Sequence, residues 1–436
     1  HWDLYVLFVE RAMQLTRADG RFDFILPFSY AIQEYAILSR RIILTECTLE
    51  SVADLRTVRV FGRVPVITII PIVQKTAPPR NHQITIRKPS SDSTTYALKR
   101  IEDSHVVHNA DMLSQHESML RLDLSPERMA LIKRLEKRSL RLGEICHVNY
   151  GAQMSSKVKG AFGKERVIRD QKEGPACKPM ISGRELYRYR INWDGRYVDY
   201  SLAPSMYGPR WPEFFELPKV MIRDITGTHR IEASYDQKGF YCDHTILCAL
   251  RNCDVEKWKP TTSNASELSK TFPVAFLAGI IASRLQSFFY YLVLTGEGVR
   301  TGGGFHTYPE TIRNFLIPRI DHKSKSDRAL HDQLVALVER MLKLHADLPA
   351  AKSPDVQTHL QREITATDRA IDQLVYQLYG LTPEEIALVE QATAAPLPKV
   401  DPEPAAAKSV PPAAYAQAEA DAAHFYSVQE APPEPN

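Results

Sequence analysis

The chain holds 436 residues, 44% of them apolar and 25% charged, enough for two or three soluble domains with sizeable cores. Its longest apolar run, Val64 to Val73, is about half a bilayer span and contains Pro65 and Pro71, so no membrane segment is read. No signal peptide is read either, and six cysteines are too few for a disulfide scaffold, so a reduced, cytoplasmic setting is expected. The formal charge of +3 hides an asymmetry. From Pro396 onward two lysines face six acidic residues, net −4, which leaves +7 on the remainder. That excess permits a nucleic-acid partner without establishing one.

Leu4, Phe8, Ala12 and Leu15 share one helical face, and Gly20 is a fitting stop. Arg21 to Pro27 reads as a strand and Gln33 to Thr45 as a helix. Ser51 to Leu55 and Val64 to Ile70 read as further strands, the second buried on both faces. This is an α/β pattern, too short to close a doubly wound sheet alone. The chain opens within an element, and no Gly-rich strand-to-helix turn precedes it, so the N-terminus reads as a cut. Residues 76–138 are mixed and polar and read as a bridge.

Residues 139–322 carry short apolar runs broken by Gly, Pro and Asp, a β-rich α+β domain. Within it, Phe272 to Leu294 reads as one buried helix, apolar almost all round. Residues 323–393 follow as an antiparallel helical hairpin. Leu330, Leu334, Leu337, Met341, Leu344 and Leu348 keep heptad spacing, as do Leu360, Ile364, Thr367, Ile371, Leu374 and Leu378, with a break at Pro349 to Pro354. After Gly380, Thr382, Pro383 and Glu385 form a capping box. Residues 394–436, rich in Pro, Ala and acid, have too little apolar content to order themselves.

Arg184 to Tyr197 interleaves basic and aromatic residues most densely. Arg184, Arg188, Arg190 and Arg196 suit phosphates or guanine edges, and Tyr187, Tyr189, Trp193 and Tyr197 offer faces for stacking. Lys157, Lys159, Lys164, Arg166 and Arg169 add charge upstream. A half-buried strand with snorkelling Arg and Tyr is the alternative reading of the segment. Gly302, Gly303 and Gly304, with His306, follow a helix instead of opening one, which argues against a nucleotide cradle. A plain turn or a loop that approaches a DNA backbone remains. Cys242, His244, Cys248 and Cys253 lack paired C-x-x-C spacing and read as buried thiols, with no metal site expected.

The order of these segments resembles a known family. Asp3 to Ala12 and Gly20 to Ser29 are similar to the stretch after the Asn-Pro-Pro-Tyr motif of adenine-specific DNA methyltransferases from Type II, Type IIG-like, restriction–modification systems. Val60-Phe61 with the strand from Val64 is similar to the family's target-base motif. Leu142 to Ile145, Ser182 to Leu186, Pro218 to Arg223, Asp236 to Tyr241 and Gly302 to Pro318 resemble a TaqI-like C-terminal specificity domain. Asp372 to Ile386 resembles the helical close of the larger members, which often fuse methyltransferase and nuclease.

The resemblance implies that residues 1–75 are the C-terminal part of a Rossmann-like methyltransferase sheet. Phe61 would stack on a flipped adenine, and Arg223, like the basic residues above, would contact double-stranded DNA. The parent enzyme would take methyl from S-adenosylmethionine. Its cofactor and catalytic motifs would lie before His1, so this chain alone is expected to hold no catalytic or cofactor residue and to be inactive. The missing N-terminal catalytic part is one expected partner; the alternative is a non-enzymatic specificity subunit that docks onto a separate catalytic chain through the Leu330 to Leu378 hairpin.

Overall fold

The computed structural model describes residues 3–56, 60–61, 66–89, 101–114, 118–156, 160, 162–226, 230–256, 262–294, 305–306 and 308–394. The expectations on Lys157, Lys159, Gly302 to Gly304 and the tail from residue 395 lie outside the described residues.

The chain begins with α1 (Tyr5–Leu15), β1 (Arg21–Asp23), β2 (Leu26–Pro27) and α2 (Ile37–Glu46). β3 (Thr48–Asp54), β4 (Thr68–Gln74), β5 (Gln83–Pro89) and β6 (Ile101–His108) complete one sheet, in the order β1–β4–β3–β5–β6, with β2 also on β4. β4 runs antiparallel to β1, β2 and β3, while β3 and β5 are parallel. Its β-branched sequence suits a central strand. Pro71, which cannot donate to a ladder, falls where the neighbour changes from β2 (opposite Thr68 and Ile69) to β1 (opposite Ile72 to Gln74). Burial along β4 alternates, with Ile69 and Val73 buried and Ile70 and Ile72 half-buried, so it is not sunk on both faces as its apolar run suggests.

Two expectations change here. Val9 and Met13 face the sheet from α1, whereas Leu4, Phe8 and Leu15 are exposed. Tyr5 sets the rotation: its hydroxyl shares hydrogen bonds with Ser29 Oγ at 2.7 Å and Tyr35 Oη at 2.6 Å. The first core also extends to Leu122, taking in Ile84, Ile86 and Val107. The stretch read as a bridge therefore supplies two strands of the first sheet. Its last part, α3 (Pro126–Arg138), belongs to the second core; it is capped by Ser125, whose Oγ accepts from Arg128 N, with Pro126 at its first turn.

The second half is built on a four-stranded antiparallel sheet of β8 (Cys146–Tyr150), β14 (Lys219–Arg223), β16 (Ala233–Asp236) and β18 (Ile246–Arg251), numbered with the intervening strands described below, in the order β16–β14–β18–β8. Alternation divides its side chains between two cores. Val220, Ile222, Leu247 and Ala249 face the helices, while Met221, Ile246, Cys248 and Leu250 face a smaller sheet. That smaller sheet, ordered β17–β10–β13–β9, comprises β9 (Ile168–Arg169), β10 (Cys177–Ile181), β13 (Tyr197–Asp199) and β17 (Tyr241–Cys242). A short pair, β7 (Ser139–Arg141) with β20 (Leu316–Pro318), closes the far end. All six cysteines are free, and Cys242 and Cys248 are buried.

The apolar stretch at 272–294 is two helices, α4 (Val274–Ile281) and α5 (Arg284–Phe289), bent by 56° at a break where Ser283 Oγ caps the second by accepting from Gln286 N. Among the described residues, no single helix is long and apolar enough to cross a membrane. α6 (Lys325–Asp347) and α7 (Pro354–Leu378) form the hairpin, and α8 (Pro383–Ala394) follows Gly380, whose φ is +60°. The capping box is present, with Thr382 N donating to Glu385 Oε2 at 2.9 Å and Glu385 N to Thr382 Oγ1 at 3.3 Å.

Gly279 lets α4 approach α6 closely, since a Cβ there would meet Val338 Cγ2 at 2.9 Å. Leu334, Val338, Met341, Leu344, Ile364, Ile371 and Val375 all lie in the chain's own second core. The hairpin's apolar face is thus covered from within the chain.

Candidate nucleic-acid interface

The segment from Ser182 to Tyr197 folds back on itself. Ser182 starts a 3-10 turn by holding Glu185, whose Oε2 accepts from both Ser182 N and Oγ at 2.7 Å. β11 (Leu186–Tyr187) and β12 (Arg190–Ile191) then form a hairpin whose two turn residues are Arg188 and Tyr189, with Tyr189 at φ +57°. That left-handed conformation is uncommon for a tyrosine and costs about 1–3 kcal/mol. Burial of the ring offsets it, with Tyr189 only 2% exposed.

The turn drives Arg188 inward, which corrects its assignment as a DNA contact. Its guanidinium forks onto Asp368 of α7, one Nη at 3.1 Å, and its Nε donates to Ala282 O at 3.2 Å. Close by, Arg230 Nη2 reaches Asp372 Oδ2 at 3.2 Å, and Arg284 donates its backbone N–H to Asp372 Oδ1 at 2.8 Å. Burial works against each charge. Even so, Arg188 holds Asp368 below the usual carboxylate range, while burial outweighs Arg230 at Asp372 and raises it. Arg188 is a brace between the sheet domain and the hairpin.

Of its arginine neighbours Arg184 faces out, whereas Arg196 is as covered as Arg188, their side chains 17% and 18% exposed. Arg184 is 67% exposed, paired with Glu185 and 3.7 Å from Asp194. Arg196 joins the same two acids, at 3.3 Å from Glu185. Arg190 lies over the Tyr187 ring with its Cζ 4.6 Å from the centroid, and its buried Nε has no hydrogen-bond partner among the described residues.

Several residues read separately from the sequence meet at one rim. Arg223 ends β14, and a Cβ on Gly183 would lie 3.4 Å from its Cγ and 3.0 Å from Thr245 O. Two residues beyond Arg223, β15 (Ile225–Thr226) pairs with β19 (Phe305–His306), opposing Ile225 to His306. The backbone of His306 is thereby held beside the Arg223 strand. Ser156 and Phe162 exchange paired backbone hydrogen bonds at 3.1 and 2.8 Å, and Lys164 beyond them stands 3.8 Å from Asp243. Asp243 in turn accepts from Thr245 N at 3.1 Å and bridges Ala152. Thr245 and Asp243 organise this rim together with Gly183, and neither stands out in the sequence, since a lone threonine and a lone aspartate in a turn have no motif spacing.

In the first half, Phe61 is 48% exposed, which rules out a buried core role. The strand that leads toward it ends in a charge cluster. Arg56 Nη2 bonds Asp54 at 2.7 Å and Asp123 at 2.6 Å, Lys88 Nζ bonds Asp123 at 2.7 Å, and the Arg56 guanidinium covers Phe28 at 4.8 Å. Against the upward pull of burial, Arg56 and Lys88 hold Asp123 well below the ordinary carboxylate range. These partners come from three distant segments and have no local signature.

Comparison with known proteins places two parts of the chain. Residues 178–295 match the TaqI-like C-terminal specificity domain, and residues 1–61 match the Eco57I restriction-modification methylase. No curated protein matches the chain. Among solved structures, the Type IIL restriction-modification enzyme MmeI in complex with DNA aligns over 90% of this chain and 53% of its own, at 9% identity and a TM-score of 0.51. The chain therefore spans about half the length of MmeI and shares its fold over that part. The type IIG restriction endonuclease BpuSI aligns over 86% of this chain and 49% of its own, at 12% identity and a TM-score of 0.33. The ATP-dependent Type ISP restriction-modification enzyme LlaBIII bound to DNA covers 80% and 27% respectively, at 10% identity and a TM-score of 0.37.

Proposed function

We propose that this chain reads DNA sequence within an adenine-specific DNA methyltransferase, or methyltransferase–endonuclease fusion, of a restriction–modification system in the reducing cytoplasm. The observation that carries the reading is the rim. Arg184, Arg223, the β15–β19 ribbon and the Ser156–Phe162 pair converge on one edge of the specificity domain. Forked guanidinium groups on a rigid sheet edge suit bidentate contacts to guanine in the major groove, with lysines on phosphates fixing register.

Residues 1–75 are read as the C-terminal strands of a Rossmann-like methyltransferase sheet, continued by β5 and β6. The reversed strand β4 between β1 and β3 supports that reading. The parent enzyme would use S-adenosylmethionine to methylate the exocyclic amine of adenine. The sequence offers no Gly-rich strand-to-helix turn to cradle that cofactor, so no methyl-transfer step is assigned to these residues. Phe61 has the exposure a stacking face for a flipped base requires.

The test is selection of duplexes from a random library by the purified chain, followed by titration of the enriched duplex in a salt series. Arg184→Ala and Arg223→Ala are each expected to cost about 1–3 kcal/mol on the enriched duplex and to relax one position of it. A library that yields no enriched sequence, with binding independent of salt, would overturn the reading.

A further inference from the structure

Beside the rim, β12 and the tip of the helical hairpin enclose an open groove of about 940 Å³. Arg190, Asn192 and Trp193 line it from one side, with Gln357, Thr358 and Gln361 from the first two turns of α7 on the other. Leu348 and Pro349 form part of its floor, and none of the residues that line it is acidic.

Its chemistry is one-sided. Along Arg184 to Arg196, the arginines at 184, 188 and 196 each have a carboxylate, whereas Arg190 has none among the described residues. Stacking on Tyr187 fixes the plane of the Arg190 guanidinium, so the fork is held ready without a counter-charge. Nearby, His345 is pushed down to about 4, by burial first and then by Arg190 and Arg188, which reports a positive local field. Side-chain amides and a hydroxyl surround the fork, and Trp193, 39% exposed, offers an edge that tolerates a sugar. The groove is also continuous with the rim, since Asp194, next to Trp193, is shared by Arg184 and Arg196.

We propose that this groove seats a backbone phosphate of the bound duplex, outside the base pairs that the rim reads. The helical hairpin is then part of the DNA-binding surface, clamping the flank against the specificity domain. A phosphate suits the site better than a base edge because the contacts are a charge and unpatterned amides in an open trough. This inference rests on the duplex-binding reading above.

The experiment compares wild-type chain with Arg190→Gln, Arg190→Lys and Gln361→Glu on the library-enriched duplex and on a scrambled one, across salt concentrations. Losing one phosphate contact is expected to weaken both duplexes about five-fold and to make the salt slope shallower by about one. Arg190→Lys keeps the charge and is expected to restore the slope. Gln361 is exposed, so Gln361→Glu leaves the fold intact and is expected to weaken both duplexes by a similar factor through repulsion. Trimming the flank of the duplex is expected to abolish the difference between wild type and Arg190→Gln. Inorganic phosphate alone is expected to leave Trp193 emission unchanged, and a saturable response would point to a free-anion site and overturn the proposal. So would wild-type affinity and slope in both Arg190→Gln and Gln361→Glu, or a change in the enriched sequence with Arg190→Gln. A wild-type chain that binds no duplex would instead overturn the functional reading itself, and this inference with it.

Discussion

Arg188 and Arg190 stand two residues apart on one hairpin, yet one is sealed against Asp368 and the other faces an open groove without a carboxylate. The turn between them does this: Tyr189 in the left-handed region reverses the chain, so the turn side chains plug inward while those flanking it face out. The inner arginine joins the hairpin to the sheet, while Arg190 lines the groove and Arg184, 67% exposed, stands at the surface. Equal charge density along a segment therefore does not mean equal accessibility, and the separation can be broken by experiment.

The largest expected effect falls on the inner side. Arg188→Ala leaves Asp368, 25% exposed, without its ion pair and facing Asp372, with only the more distant pull of Arg230 and Arg284, a loss of about 3 kcal/mol, the lower end of the scale for breaking buried pairs. Arg188→Met with Asp368→Leu is expected to recover most of that, since burying two charges was costly from the start. Thermal or urea unfolding measures both. Wild-type stability in Arg188→Ala would mean that the brace carries no energy and that the turn is free to move.

A smaller effect should appear against pH. His345 is faced by Arg190, Arg188 and Asp368, and its folded value of about 4 lies below the ordinary histidine value near 6.5. Between those limits the unfolded chain binds a proton that the folded chain refuses. Stability is therefore expected to be level above about pH 6.5 and to fall as pH drops toward 4. His345→Gln should flatten that window, and Arg190→Gln should raise the histidine's midpoint by removing one repelling charge. A histidine that titrates by NMR at its ordinary value would show that the ring is better solvated than its burial implies, and the two arginines with it.

Much of the architecture is legible in the chain itself. The Pro349 to Pro354 break, the Thr382–Glu385 box and the Gly380 stop are local, and each is present as expected. The division of β14 and β18 side chains between two cores is not legible in the same way, since Ile246 to Leu250 are apolar throughout. What stays hidden depends on partners distant in sequence. Leu4, Phe8 and Leu15 make as good an apolar stripe as Tyr5, Val9 and Met13; only Ser29 and Tyr35, hydrogen-bonded to Tyr5, decide which one turns inward. The direction of Arg188 depends on an aspartate 180 residues away. The apolar run at 272–294 hides its break because Ser283 looks like any small helical residue until its hydroxyl caps the next turn.

The smallest expected effect is on the outer side, and it is the most discriminating. Arg184 is two-thirds exposed, so its pairing with Glu185 and Asp194 is screened and worth at most about 1 kcal/mol. Glu185 does not depend on it, since Ser182 N, Ser182 Oγ and Arg196 all still engage that carboxylate in its absence. Arg184→Ala is accordingly expected to unfold within about 0.5 kcal/mol of wild type, as surface changes generally do. The same variant should lose duplex affinity and relax one position of the enriched sequence. If Arg184→Ala instead destabilised the fold as much as Arg188→Ala while duplex binding per folded molecule stayed constant, the outer flank would be as structural as the turn. The line between brace and reader would then have to be drawn elsewhere on the rim, at Arg223 and the β15–β19 ribbon.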